Sequence, residues 1–297
     1  MTAADVFHIP VMMKESLDLL NIGPGKVYVD GTVGGGSFAD EILRRSSPDG
    51  FLIGIDRDKS AVNYVRKKLE GEFNGKRFKI FYSNFSKIDL IVKKTGFEKV
   101  DGIVLDLGIS SIQLKSGKGF SFRDEGGLDM RIDAGGKLKA YDIVNFYSER
   151  ELADILWKYG DEGFSRKIAR KITEYRKRKL IETPLELSMI IKKAYARHAY
   201  RTKIEPATKT FLALRIAVND EFASLALFLE RLKDILGTGA CVCIISFHSG
   251  EDRIVKNFFR EHKEFKLLTK KPLIPSVEEI KNNPKARSAK LRAACLK

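Results

Sequence analysis

The stretch Lys26-Val-Tyr-Val-Asp-Gly-Thr-Val-Gly-Gly-Gly36 decides the fold. A short β-rich run ends on an acid, Asp30, and gives way to a glycine-rich turn. A helical pattern from Phe38 to Arg45 follows. Three glycines in succession let the backbone turn sharply and let a ligand approach it closely, and the helix behind offers free N–H groups. The same alternation continues outward. Phe51-Leu-Ile-Gly-Ile55 ends at Asp56, Ser60 to Leu69 reads as a helix, Phe78-Lys-Ile-Phe-Tyr82 precedes Asn84, and Gly102-Ile-Val-Leu105 ends at Asp106. Short apolar strands separated by helices predict a parallel, doubly wound α/β sheet with right-handed crossovers.

Residues 134–206 read differently. Ile143 to Tyr159, Phe164 to Arg178 and Pro184 to Tyr200 carry apolar residues at helical spacing, without strand signals. They predict a helical subdomain inserted into a sheet domain made of residues 1–133 and 207–297. Further helices are expected over 208–236 and 251–262, with strands at Cys241 to Phe247, Phe265 to Thr269 and Leu291 to Leu296.

The chain has 297 residues, 43% of them hydrophobic, so it can bury a sizeable core. No apolar run approaches 18 residues, and the N-terminus lacks a basic start followed by an apolar core. Neither a membrane span nor a signal peptide is expected. Three cysteines do not make a disulfide framework, which points to the cytoplasm; Cys241 and Cys243 are expected to be buried thiols. No metal is expected, since no third and fourth ligand accompanies that pair. The net charge is +15, and it is concentrated. Residues 134–206 hold 17 basic and 10 acidic residues, residues 253–297 hold 13 and 4, and the remainder hold 24 and 25. Concentrated positive charge suggests a docking surface for a polyanion.

The glycine spacing separates candidate ligands. No Gly-Lys-Ser/Thr is present, so the turn is not a P-loop, and Gly31, Gly34, Gly35 and Gly36 miss the dinucleotide spacing. An acid followed by glycines at plus four and plus six resembles motif I of class I S-adenosylmethionine-dependent methyltransferases. Asp56 stands where that class places an acid on the ribose hydroxyls.

Eight motifs in order then resemble the bacterial 16S rRNA cytosine-N4 methyltransferase family, over essentially the whole chain. They are His8-Ile-Pro-Val11 with Glu15; Asp30-Gly-Thr-Val-Gly34; Asp106-Leu-Gly-Ile-Ser-Ser111; Gly119-Phe-Ser-Phe122; Leu128-Asp-Met-Arg-Ile-Asp133; Pro206-Ala-Thr-Lys-Thr-Phe211 with Ala213-Leu-Arg-Ile216; Ile245-Ser-Phe-His-Ser249 with Glu251-Asp-Arg253; and Asn283-Pro-Lys-Ala-Arg-Ser-Ala-Lys-Leu-Arg292. The resemblance implies a class I, Rossmann-like methyltransferase fold with a helical insertion that recognises RNA. It implies S-adenosyl-L-methionine as cofactor and methylation of one cytidine in the decoding region of 16S rRNA, within the small ribosomal subunit. Carried over by position, Gly34, Gly35, Gly36, Ser37, Phe38, Asp56, Phe85, Asp106 and Gln113 would be the cofactor contacts, although on composition alone Phe85 reads equally as a core residue. Two departures stand out: the family loop usually ends Gly-Gly-His where this chain has Gly36-Ser37-Phe38, and Glu205 replaces a usual His. Ile112 and Gly250 also replace a common Pro and Leu.

Methyl transfer to an exocyclic amine needs alignment and acceptors for its N–H groups. Asp106, Ser110 and Ser111 follow the fourth strand and are the candidate acceptors. His248, Arg253, Arg287, Lys290 and Arg292 are candidate substrate contacts; His248 also suggests a general base, but a lone histidine near a strand end is more often a structural residue. Two other readings stay open: a nicotinamide-dependent oxidoreductase, and a catalytically silent RNA-binding assembly factor. The oligomeric state is open too, a homodimer included.

Overall fold

A computed structural model describes residues 10–73, 75–114, 116–196 and 205–297. His8 and Ile9 of the first motif, and the end of the helix expected to reach Tyr200, lie outside these. The chain forms two compact units, one of Met1–Gly108 with Phe222–Lys297, the other of Ile109–Glu221. The second unit is broader at both ends than the expected insertion 134–206, because the segments flanking those helices pack with them.

The first unit contains, in chain order, α1 (Met13–Leu20), β1 (Val27–Asp30), α2 (Ser37–Arg45), β2 (Phe51–Asp56), α3 (Lys59–Phe73), β3 (Phe78–Tyr82), α4 (Ile88–Thr95) and β4 (Val100–Asp106). The second unit contributes α5 (Ser111–Leu114), α6 (Ala140–Phe146), α7 (Glu149–Gly160), α8 (Ser165–Arg176), α9 (Pro184–Tyr195) and α10 (Ala207–Asn219). The chain then returns through α11 (Glu221–Ile235), β5 (Leu236–Ser246), α12 (Ser249–Glu261), β6 (Phe265–Leu267), α13 (Val277–Asn282) and β7 (Lys290–Leu296). The seven strands lie in the order β3-β2-β1-β4-β5-β7-β6.

Strands β1 to β5 are parallel, as the alternation predicts. β7 is not: it runs antiparallel between β5 and β6, so the sheet is mixed. Alternate residues of each strand serve opposite faces. Val104, Cys241, Cys243 and Ile245 pack on one face with α1, α2 and α3. Ile103, Leu105, Val242 and Ile244 pack on the other with α4, α11 and α12. Each such Val, Ile or Leu stabilises the fold by about 1.5–3 kcal/mol.

The β5–β7 register also overturns the cysteine expectation. Cys241 and Cys295 are cross-strand partners with Cα atoms 4.0 Å apart, and they form a disulfide. Only Cys243 remains a free, buried thiol, its pKa raised by burial.

In the second unit, the helix expected over 143–159 is two helices. Ser148 breaks it with a capping box, its hydroxyl accepting from the Glu151 amide while Glu151 accepts from the Ser148 amide. Asp220, at φ +49°, likewise separates α10 from α11. The second core gathers Ile143, Leu152, Leu156, Ile168, Ile172, Leu187, Phe211 and Leu214.

Candidate active site

The first unit builds its site at the carboxyl ends of β1, β2 and β4. In an open α/β sheet that edge holds the ligand, because the crevice opens there. The turn after β1 is pinned to both neighbours: the Gly31 amide donates to the Val104 carbonyl at 2.9 Å, and the Val33 amide to the Ile55 carbonyl at 3.0 Å. Gly36, at φ +79°, caps α2, and a Cβ there would come within 3.0 Å of Val65. A larger residue at Gly36 would therefore be strained and would push the turn off α3.

Three acids frame this turn. Asp56 accepts the Gly34 amide on Oδ2 and the Asp58 amide on Oδ1, both at 2.8 Å. Each oxygen keeps lone-pair capacity for a further donor. Burial raises its pKa, and the Asp58 and Gly34 amides oppose the rise. Asp30 is 1% exposed; Oδ1 accepts the Thr32 amide at 3.1 Å and the Ala39 amide also favours the charged form, while Oδ2 makes no well-formed hydrogen bond among the described residues. Burial pushes this carboxyl up to about 7. Asp106 ends β4; its amide donates to the Thr32 hydroxyl at 2.7 Å, and its buried Oδ1 also lacks a donor. Burial, then the negative neighbours Asp30 and Glu251, lift its pKa well above the usual carboxylate range.

The residues that depart from the family loop have structural places. Ser37 and Phe38 are the first helical residues of α2, and the Phe38 side chain belongs to the core. They can meet a ligand through their amides, which the departure leaves intact. Phe85 is also core, packed edge-on to Phe228 at 5.7 Å. Behind the turn, its Cβ lies 3.6 Å from where a Cβ on Gly31 would stand.

Gln113 and Ser110 lie in the second unit and engage each other. The Ser110 amide donates to Gln113 Oε1 at 3.0 Å, and the Gln113 amide to Ser110 Oγ at 3.1 Å. This reciprocal pair caps α5, so the Ser110 oxygen already has a donor. The Ser111 side chain lies outside those described.

His248 caps α12. Its Nδ1 accepts the Glu251 amide at 3.4 Å, and its Nε2 lies 3.2 Å from Glu251 Oε1 but off the line of a hydrogen bond. Glu251, buried, also accepts the Phe247 amide at 2.9 Å. That is the structural role for His248. Lys290 and Arg292 are likewise engaged: both grip Asp252, at 3.2 and 2.6 Å, which ties β7 to α12. Arg292 first, then Lys290, draws the Asp252 carboxyl below its ordinary value against its own burial. Arg253 and Arg287 are exposed. Sequence reasoning gave Thr32 no role, read Asp30 only as the acid of motif I, and missed Asp252 as the partner of Lys290 and Arg292. The acid-then-Thr spacing of Asp30-Gly-Thr32 was the available signal for the first two.

The residues fit S-adenosylmethionine. The turn is a close-approach cradle, Asp56 has acceptor capacity for two hydroxyls, and two buried carboxylate oxygens await donors on a ligand that carries positive charge. Fold and site together define a class I methyltransferase.

The MraW methylase family matches residues 5–296, and the chain belongs to that family. It is an enzyme, a methyltransferase that uses S-adenosylmethionine. It is 45% identical to the ribosomal RNA small subunit methyltransferase H of Caldicellulosiruptor bescii, over 97% of this chain and 98% of that protein. It is 46% identical to the protein of the same name from Persephonella marina, over 97% of this chain and 99% of that one.

Proposed function

We propose that this enzyme methylates the N4 amine of a cytidine in the decoding region of 16S rRNA, on the small ribosomal subunit and in the cytoplasm. Ribosomal RNA methylation is the activity carried by the name its relatives share. The cytidine and its N4 are what the family resemblance of the ordered motifs implies, Asp106-Leu-Gly-Ile-Ser-Ser111 after β4 among them. No helix among the described residues is long and apolar enough to cross a membrane.

When bound, S-adenosylmethionine supplies a methyl group on a cationic sulfur. The chain does the rest. Asp56 and the amides opening α2 hold the donor, while the Gly31–Gly36 turn lets it lie against backbone. The N4 amine is a weak nucleophile because its lone pair is delocalised into the ring. Asp106 Oδ1, buried and without a donor, accepts an amine hydrogen and favours the tetrahedral nitrogen the reaction needs. Its raised pKa makes it the stronger acceptor once ionised. The target base must leave its stack to reach such a buried group. RNA recognition falls to the helical segment 134–206, whose excess of cations suits phosphates.

The observation that carries the reading is the unpartnered Asp106 oxygen at the end of β4, beside the cofactor turn. The test is to incubate the enzyme with radiolabelled cofactor and small subunits lacking the modification, then map the label. Label on N4 of a decoding-region cytidine is expected; label elsewhere, or none, rejects the assignment.

A further inference from the structure

One row of residues crosses the first unit from the site to the edge of the sheet. Asp106 pairs with Ile245, Ile245 with Leu291, and Leu291 with Leu273. The last pair exchanges two backbone hydrogen bonds, each 2.9 Å. At a strand spacing of about 4.8 Å, Leu273 lies about 14 Å from Asp106. Because β7 is antiparallel, its beginning, Lys290, stands beside Ser246 at the end of β5. The start of β7 is therefore on the ligand edge.

Three cations gather at that corner. The Leu268 and Thr269 amides still donate to the Ala293 carbonyl, but the next backbone pair is Leu273 with Leu291, so the residues between leave the ladder as a bulge. Thr269 anchors the bulge, its buried hydroxyl accepting the Ala293 amide at 3.0 Å. Lys270 and Lys271 stand exposed on the bulge. Arg287 is exposed on the short 3-10 turn Pro284–Ser288 that leads into β7. Among the described residues none of the three has an ion-pair partner, whereas Lys290 and Arg292 on β7 are neutralised by Asp252. The Asp252 clamp ties the start of β7 to α12, and the three outer cations stand without a counter-charge among the described residues.

We propose that Lys270, Lys271 and Arg287 form a phosphate-binding rim that holds the RNA strand flanking the target base. This rests on the RNA substrate proposed above, and it moves the substrate contacts in the C-terminal segment from Lys290 and Arg292 to the outer corner. Anchored backbone on an exposed ridge, with unpaired cations on the cofactor side of the sheet, suits a polyanion passing the site rather than a small ligand.

The test measures binding of purified small-subunit rRNA across a salt series for the wild type and for K270E/K271E/R287E. Lys266, on β6 opposite Cys295, is at the far end of β7, and K266E is a single charge-reversal control placed away from the corner. The rim predicts at least a tenfold weaker affinity for the triple variant. The slope of log affinity against log salt should become shallower by about 2, at roughly 0.7 per lost single-strand contact. K266E should keep the wild-type slope, and all three proteins should bind S-adenosylmethionine equally. A wild-type slope in the triple variant, or equal losses in K266E, overturns the rim. Methylation of subunits is scored separately: a wild type that binds with the predicted slopes yet labels no cytidine sinks the substrate assignment and leaves the rim standing.

Discussion

The backbone N–H of Asp106 donates to the hydroxyl of Thr32 at 2.7 Å, joining the end of β4 to the cofactor turn after β1. One bond thus sets the position of the proposed acceptor relative to the donor's cradle. Thr32→Val keeps the shape and leaves the amide without a partner. Loss of about 1–3 kcal/mol of stability is expected, together with a kcat reduced more than cofactor affinity. Thr32→Ser should restore both. Melting curves beside methyl-transfer kinetics decide it; unchanged kcat in the Val variant counts against a positioning role.

Asp56→Ala addresses the donor directly. The change removes an acceptor that also orders the Gly34 and Asp58 amides. Cofactor affinity by calorimetry should drop at least tenfold, with the sheet intact by circular dichroism. Equal affinity would refute the ribose contact.

How far the sequence carried the structure can be judged on particular residues. Asp30, Asp56 and Asp106 each end a strand where the apolar run stops, so the ligand edge was legible from a local pattern. The antiparallel β7 was not, because its pairing with β5 joins residues about fifty positions apart and no local period encodes it. The disulfide between Cys241 and Cys295 was missed for the same reason. His248, Lys290 and Arg292 carry residue types that suit RNA, but their roles depend on Glu251 and Asp252, which only the packing of α12 against β7 brings into reach.

Asp252 should behave as the keystone of that packing. Asp252→Asn leaves Arg292, whose side chain is 12% exposed, without its counter-charge. A loss of about 3 kcal/mol is expected, near the lower end for breaking a buried pair. Asp252 titrates below its ordinary value, so its contribution is present above the unfolded-state pKa and fades as pH falls through the folded one. Denaturant unfolding should therefore show the wild-type advantage at pH 7 shrinking toward pH 3. An advantage that stays constant with pH would contradict the clamp.

Asp30 has the opposite sign. Its carboxyl rises from 3.8 to about 7 on folding, so the folded state retains a proton that the unfolded state releases. The ligand-free protein should lose stability as pH climbs from about 4 to about 7, by about 3 kcal/mol between pH 5 and 8 on account of this group. Asp30→Asn removes that share, so its unfolding free energy should vary less over the same interval. If both proteins show the same pH dependence, Asp30 is not the group that titrates.

Asp106 ties the electrostatics to turnover. As an acceptor for an N4 hydrogen it works only when ionised, and burial with Asp30 and Glu251 nearby holds its pKa well above the ordinary carboxylate range. The single-turnover rate should rise with pH through that raised value and then level off. Asp106→Asn should be slow and without this limb, while still binding cofactor. Asp30→Asn provides the internal control, since removing a like charge eases ionisation of Asp106. Its limb should move to lower pH rather than disappear. A wild-type rate that is flat from pH 5 to 9 would show that no group with a raised pKa accepts the proton, and would return Asp106 to a purely cofactor-binding role.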